Sequence, residues 1–417
     1  MAEHLIGLLL GTEDDWPTAF ESIVARLPPV EHGGERHVFR TERIFNEPFD
    51  LRQGSRYAVV IDRLGWWYDL AREWVKKCAL MDEVYLLNNP FTFQAMEKHS
   101  AYCAMMRLGL KVPETWMVPH KLPAPMFRRE YMAAKLPHMA ARYNAPFDLD
   151  DVAAKIGYPL YMKPYDGGQW VGVTRIASPE QLHAVYDASG ERLMHLQAAV
   201  DGFDVFARSL SIGAETTVMR FLPDAPMHER YAVEHDFLAD DTGWEVITIS
   251  RLVNAFFRWE FNSCENLILS GEVHPIDYAN ASPDVALTSL HYYFPWAIET
   301  LVKWCVFCVV TGRRMAIDLD QRRYFEIGDR EDLGYLDKLR EYRRLVDDYF
   351  EVEHYGDVCA TSLASLRELT IDYFGGPEFD ELLVEMVRAT FPAHEQEAMV
   401  ARHRGLLGTW VREQAAV

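Results

Sequence analysis

Lys163 stands on an apolar, strand-like run and is followed by paired glycines, Gly167 and Gly168, in the stretch YPLYMKPYDGGQWVGVTRI, residues Tyr158 to Ile176. A lysine ahead of two glycines is one way to build an anion site. The ammonium supplies a point charge, and glycines let backbone N–H groups approach an anion with no Cβ in the way. Gly172 on the return strand leaves further room. The same residues also suit an ordinary hairpin with a permissive turn. No GK[ST] follows, so this is not a Walker loop, and no GxGxxG opens a helix as a dinucleotide site requires.

Acids that could hold a hard cation occur in RRMAIDLDQRRYFEIGD. If Gln321, Arg322 and Arg323 form a three-residue hairpin loop, Asp320 faces Tyr324 and Asp318 faces Glu326, with cross-strand Cβ atoms ~5 Å apart. Mg²⁺ prefers such oxygen ligands. A two-residue turn would pair Asp318 with Phe325 instead. A second group lies in FNSCENLILSGEVHPIDYANASPDVALTSLHYYFPW, which gathers Asp277, Asn280, Asp284, Ser289 and His291 at a strand-to-helix transition. These residues read either as substrate contacts or as turn and helix caps. Arg208, Arg220, Arg230 and Arg258 alternate with apolar residues, and Arg313-Arg314 precede the acids. Arg220 and Arg258 are the catalytic candidates, since a guanidinium can grip a carboxylate or a γ-phosphate in bidentate fashion.

The elements that must position these residues begin with strand–helix alternation. HLIGLLLG, TEDDWPTAFESIVARL (Pro17 in its first turn), YAVVID, WWYDLAREWVKKCAL and EVYLLNNP predict a small parallel α/β domain over residues 1–95. EKHSAYCAMMRLG predicts a helix stopped at Gly109, and residues 121–147 read as an excursion before a short capped helix in FDLDDVAAKIG. From Tyr158 to about Ile327 strand signals dominate, among them EVITISRLVNAFFRWEF, RRMAIDLD and RYFEIG, with one long helix at about 292–310. The tail from about residue 332 reads as helical.

Taken in order, these segments resemble the ATP-grasp superfamily over roughly residues 1–330, most nearly its carboxylate–amine ligase (glutathione synthetase/RimK-like) branch. The resemblance rests on EKHSAYCAMMRLGLKVPETWMV, on YPLYMKPYDGGQWVGV and on MHLQAAVDGFDVFARSLSIG. It implies an α/β plus α+β fold: the N-terminal parallel domain, a first grasp subdomain with a glycine lid (96–200), a second with a metal site (201–335), and a C-terminal helical region (336–417). It implies that Lys98 and Lys163 hold ATP phosphates beneath Gly167 and Gly168. Gln197, Ala199 and Val200 would form the hinge that reads adenine through its backbone, with Asp204 on the ribose. Asp318 and Glu326 match the family's Mg²⁺ acids; Gly328 stands where its asparagine would be, with Asp329 next in line. The implied activity joins a carboxylate, activated by ATP as an acyl phosphate, to an amine. A kinase of the same superfamily and a catalytically impaired nucleotide-binding protein stay open as alternatives.

A formal net charge of -21 argues against a general nucleic-acid or anionic-membrane surface. The start MAEHLIGLLLGTEDDWP has acids on both sides of its apolar run, unlike a secretion signal. No apolar run approaches the ~20 residues of a bilayer span; WAIETLVKWCVFCVV carries Glu299 and Lys303 and suits a buried helix. Six cysteines make no disulfide framework, and the pair Cys305 and Cys308 reads as core packing. A cytoplasmic protein acting on small molecules is expected, with self-association left open.

Overall fold

The computed structural model describes residues 1–92, 98–122, 145–168, 170–280 and 282–416. Most of the expected 121–147 excursion lies outside the described residues. The N-terminal part contains β1 (Ala2–Leu9), α1 (Asp15–Arg26), β2 (Val30–His32), β3 (Glu35–Arg43), β4 (Val59–Asp62), α2 (Asp69–Met81) and β5 (Tyr85–Leu87). They form a sheet of order β2-β3-β1-β4-β5, parallel except at the β2 edge. All four residues of β4 are buried, as in a parallel sheet covered on both faces. The β2–β3 hairpin was not evident from the sequence pattern. It turns at Gly33-Gly34, both at positive φ.

Next come α3 (Lys98–Arg107), β6 (Thr115–Val118), α4 (Leu149–Ile156), β7 (Leu160–Pro164), β8 (Thr174–Ile176), α5 (Pro179–Ser189) and β9 (Met194–Ala198). The sheet here is antiparallel, of order β6-β9-β7-β8. Side chains alternate along its strands. Leu160, Met162, Ile176 and Leu196 turn inward onto Leu149, Ala153 and Leu182, making a small core of their own. Helix α4 is capped by Asp148, whose side chain accepts from the Asp150 N–H.

The third sheet contains β10 (Val205–Ile212), β11 (Glu215–Phe221), β12 (Tyr231–Ala232), β13 (Phe261–Leu269) and β14 (Glu272–Asn280), in the order β12-β11-β10-β13-β14 and antiparallel throughout. Between β12 and β13 runs helix α6 (Asp240–Phe257), where strand had been expected from EVITISRLVNAFF. Its β-branched residues favour strand locally. Tertiary burial overrides that preference: Val246, Ile249, Val253 and Phe256 recur at helical spacing and are buried.

Helix α7 (Phe294–Val310) follows, buried nearly throughout, and Cys305 and Cys308 pack in it as core residues. Contrary to the expectation of no span-length apolar run, the helical run Leu287–Val310 is long and apolar enough to cross a membrane, yet 78% of its most apolar window is buried inside the protein. RRMAIDLD and RYFEIG are not strands. Residues Gln321–Gly328 form α8, whose Tyr324 and Phe325 rings pack on Phe256 at 5.5 and 5.6 Å. Helices α9 (Tyr335–Phe350), α10 (Val352–Ser362), α11 (Leu366–Phe374), α12 (Pro377–Thr390) and α13 (Gln396–Ala415) complete the chain. One continuous core joins the N-terminal sheet, α3, the third sheet and these C-terminal helices.

Candidate functional site

Lys163 lies on β7, and the alternation that buries Leu160 and Met162 turns Lys163 and Tyr161 to the opposite face. Their register partners on β9 are His195 and Gln197. Lys163 is buried and donates to Gln197 Oε1 at 2.6 Å and to the Ile276 carbonyl at 3.5 Å. Gln197 in turn donates to Thr115 Oγ1 at 2.8 Å, which fixes its amide. Burial pushes the Lys163 ammonium down to about 8; Asp277 opposes this and Lys98 adds to it. His195, stacked on His99, is lowered to about 4, first by burial and then by His99 and the two lysines, so it is neutral at pH 7.

Lys98 opens α3, and its N–H donates to the Tyr165 carbonyl at 2.8 Å, tying the helix to the β7–β8 connection. Its ammonium is buried and pairs with Asp277. Asp277 on β14 stands opposite Glu265 on β13, and Glu265 stands opposite Arg208 on β10. The hairpin is closed by Ser270-Gly271, both at positive φ, and its register is irregular on each side of Glu265. Arg208 Nη1 lies 3.6 Å from Glu265. Burial would raise the Asp277 carboxyl, but the charge and hydrogen bond of Lys98, with Lys163, hold it below its ordinary value. Burial raises Glu265 against the pull of Arg208.

Two cavities meet at this row of charges. The first, ≈ 230 Å³, is lined by Lys98, Lys163, Gly167, Gly168, Gln197 and Val200, with apolar walls from Tyr161, Val173, Phe203 and Leu267 and an acid at Asp224. The second, ≈ 650 Å³, is lined by Arg208, Arg230, Asn280, Asp284 and Ser289. Both share Gly168, Trp170, Glu265 and Asp277.

Several expected site residues lie elsewhere. The Ala199 N–H is already donated to the Pro159 carbonyl at 3.2 Å, so it cannot read a ligand edge. Asp204 accepts from the Ser270 N–H at 2.7 Å and holds the β13–β14 turn; it does not line the first cavity, whose acids are Asp166, Asp224, Glu265 and Asp277. Arg220 is committed to Glu234 at 2.7 and 2.9 Å. Arg258, at positive φ behind α6, donates to the carbonyls of Ala255, Asp318 and Leu319. Asp318, Glu326 and Asp329 are exposed and line neither cavity, because the expected hairpin is the helix α8. Asp329 pairs with Arg107 at 3.0 Å. Gly328 is a packing glycine, since a Cβ there would stand 2.9 Å from the Arg107 carbonyl oxygen.

The carboxylates common to both cavities are Glu265 and Asp277. The sequence signal for them is two acids on strands flanking the Ser270-Gly271 turn in CENLILSGEVHPID. They suit a hard cation: Asp277 Oδ1 is buried with no hydrogen-bond partner among the described residues. Among the described residues no group of three or more His, Cys, Asp or Glu is gathered to hold a metal. Two carboxylates completed by phosphate oxygens are a usual Mg²⁺ arrangement.

No protein-family model matches the chain. It is similar to D-alanine–D-alanine ligases: 26% identical over 128 residues to that of Ralstonia nicotianae, covering 30% of this chain and 35% of that protein. The Cupriavidus necator ligase is 35% identical over 77 residues, covering 18% and 21%. The matched stretches thus span at most about a third of these curated relatives. Among solved structures, a D-alanine–D-alanine ligase of Bacillus anthracis aligns with a TM-score of 0.49 at 12% identity, over 74% of this chain and 99% of that one. A RimK domain ATP-grasp protein of Sphaerobacter thermophilus gives 0.46 at 12% identity, over 74% and 100%.

Proposed function

We propose that the chain is an ATP-dependent ligase that activates a substrate carboxylate as an acyl phosphate and joins it to an amine, releasing ADP and phosphate. The observation that carries this reading is the convergence of two buried lysines and two facing carboxylates on one cavity that shares a wall with a second. The sequence similarity to D-alanine–D-alanine ligases supports it.

In this reading the apolar walls at Tyr161, Val173, Phe203 and Leu267 take the base, and Asp224 replaces Asp204 as the ribose acid. Lys98 and Lys163 neutralise the phosphates as point charges, beneath Gly167 and Gly168. Glu265 and Asp277 would hold Mg²⁺, which would supply positive charge to offset the phosphate oxygens. A carboxylate in the second cavity attacks the γ-phosphorus beside Arg208, ADP leaves, and the amine then displaces phosphate. Catalysis is charge neutralisation and positioning, with no nucleophilic side chain needed.

The test is ADP release across a panel of carboxylates with and without amines, comparing the wild type with Lys163→Ala and Asp277→Asn. Full turnover in both variants would refute the site. A stable phosphorylated product formed without amine would convert the reading to a kinase.

A further inference from the structure

The far wall of the second cavity comes from the N-terminal domain. Asp62 at the end of β4 accepts from the N–H groups of Leu64 and Gly65 at 2.9 and 2.7 Å, and this turn presents Arg63, Trp66 and Trp67 to the cavity. The indoles of Trp66 and Trp67 are stacked, 4.9 Å apart and 6° from parallel. Trp67 lies over Gly11, where a Cβ would stand 3.3 Å from the ring, yet it is 54% exposed. At the shared rim, Trp170 is 50% exposed and stacks on Phe206 at 6.4 Å.

Beside Thr12 and Glu13, this wall carries two buried donor atoms that lack an acceptor among the described residues. Arg63 is 6% exposed; its Nε donates to Glu13 at 2.9 Å, while its Nη1 is buried with no hydrogen-bond partner among the described residues. Trp66 Nε1 is buried and unpartnered in the same sense. Buried donors left unmade are costly, so a site of this kind favours a ligand that supplies the acceptor. The exposed indole faces of Trp67 and Trp170 on this cavity also suit a planar ring.

We infer that the second cavity is built for an aromatic acid bearing an oxygen acceptor on its ring, a hydroxyaryl or carboxyaryl acid. The ring lies against Trp67, its distal oxygen accepts from Arg63, and its reacting carboxylate points to Arg208. The orientation of the reacting end rests on the ligase reading above; the recognition of ring and acceptor does not.

Isothermal titration with a nonhydrolysable ATP analogue present tests it, using 4-hydroxyphenylacetate, phenylacetate and D-alanine as probes. The expected order is 4-hydroxyphenylacetate tightest, phenylacetate about tenfold weaker, and D-alanine weaker again. Trp67→Ala should cost 4-hydroxyphenylacetate about tenfold or more, with Trp67→Phe restoring most of it. Trp67 is half exposed, so both variants should fold, and circular dichroism melts check this. No binding, equal binding of the aromatic and aliphatic probes, or no effect of Trp67→Ala overturns the inference. Equal binding of the two aromatic probes removes the role of Arg63. Trp67-dependent binding without ADP release on adding ATP and amine would defeat the ligase reading alone. Turnover of D-alanine untouched by Trp67→Ala would defeat this inference alone.

Discussion

Glu265 on β13 is the register partner of Asp277 on β14, and each carboxylate is held by a different cation, Arg208 at 3.6 Å and Lys98. Like charges opposite one another destabilise a sheet unless they are neutralised. The fold therefore depends on the same cations the chemistry would use. Asp277→Asn should lower stability by up to about 3–5 kcal/mol, the cost of breaking a buried pair, measured by urea unfolding. It should also cut ADP release by about a hundredfold and shift the Mg²⁺ dependence to higher concentration. A variant with wild-type Mg²⁺ response would remove Asp277 from the metal site.

Lys163 gives a pH signature. Its folded value of about 8 lies below the ordinary lysine value of 10.5. Between these two the unfolded chain binds the extra proton, so the contribution of this group to stability rises with pH from about 8 to 10.5. Lys163→Met should flatten that slope in unfolding curves. Binding of a polyphosphate favours the charged form, so ATP should bring proton uptake at pH 8.5. Calorimetry in buffers of different ionisation enthalpy reads this, and the uptake should vanish in Lys163→Met.

Trp170 sits at φ +61, a region that costs a non-glycine residue about 1 kcal/mol or more. Trp170→Gly should keep or raise the melting temperature while raising KM for the carboxylate, because one exposed indole leaves the shared rim. A fall in stability with unchanged KM would show that Trp170 serves the fold only.

Four residues that sequence reasoning placed at the site should behave as scaffold or surface. Glu326→Gln and Arg220→Ala should retain ADP release within about twofold, since both are outside the cavities. Asp204→Asn should loosen the β13–β14 turn by about 1 kcal/mol. Arg258→Ala should cost about 2–3 kcal/mol in unfolding, because three carbonyls lose their donor and the guanidinium leaves its place 4.4 Å over the Tyr349 ring. Its turnover per folded molecule should persist. Loss of turnover in folded Glu326→Gln would restore α8 to the site.

The parallel N-terminal sheet, the lysine strand and the Gly167-Gly168 loop were legible because each is local: period, turn residues and one charged side chain on an apolar strand. Lys98 was legible only through its order relative to Lys163. Asp318 and Glu326 do not line the cavities whereas Glu265 and Asp277 do, and the two acid clusters look alike in one dimension. EVITIS reads as strand until the buried stripe from Val246 to Phe256 is counted at helical spacing, and the expected hairpin at Asp318 is instead the helix α8, whose Tyr324 and Phe325 pack on Phe256. Asp204 and Asp224 likewise differ only in which turn each one meets. Arg63, Trp66 and Trp67 carry no motif; a tertiary contact alone brings them to the second cavity.

The separation of the two cores has a mechanical meaning. Ala101, Tyr102 and Met105 root the Lys98 helix in the large core, whereas Leu160 and Met162 root the Lys163 strand in the small one. The two ammonium groups thus stand on opposite banks of a seam between a heavy body and a light leaf. The two charges repel one another, and Asp277 between them offsets that repulsion. A bound polyphosphate would act as a fastener across the seam, so hydrogen exchange in β7 and β9 should slow on adding the ATP analogue far more than in β13 and β10. Equal protection on both banks would mean that the leaf does not move.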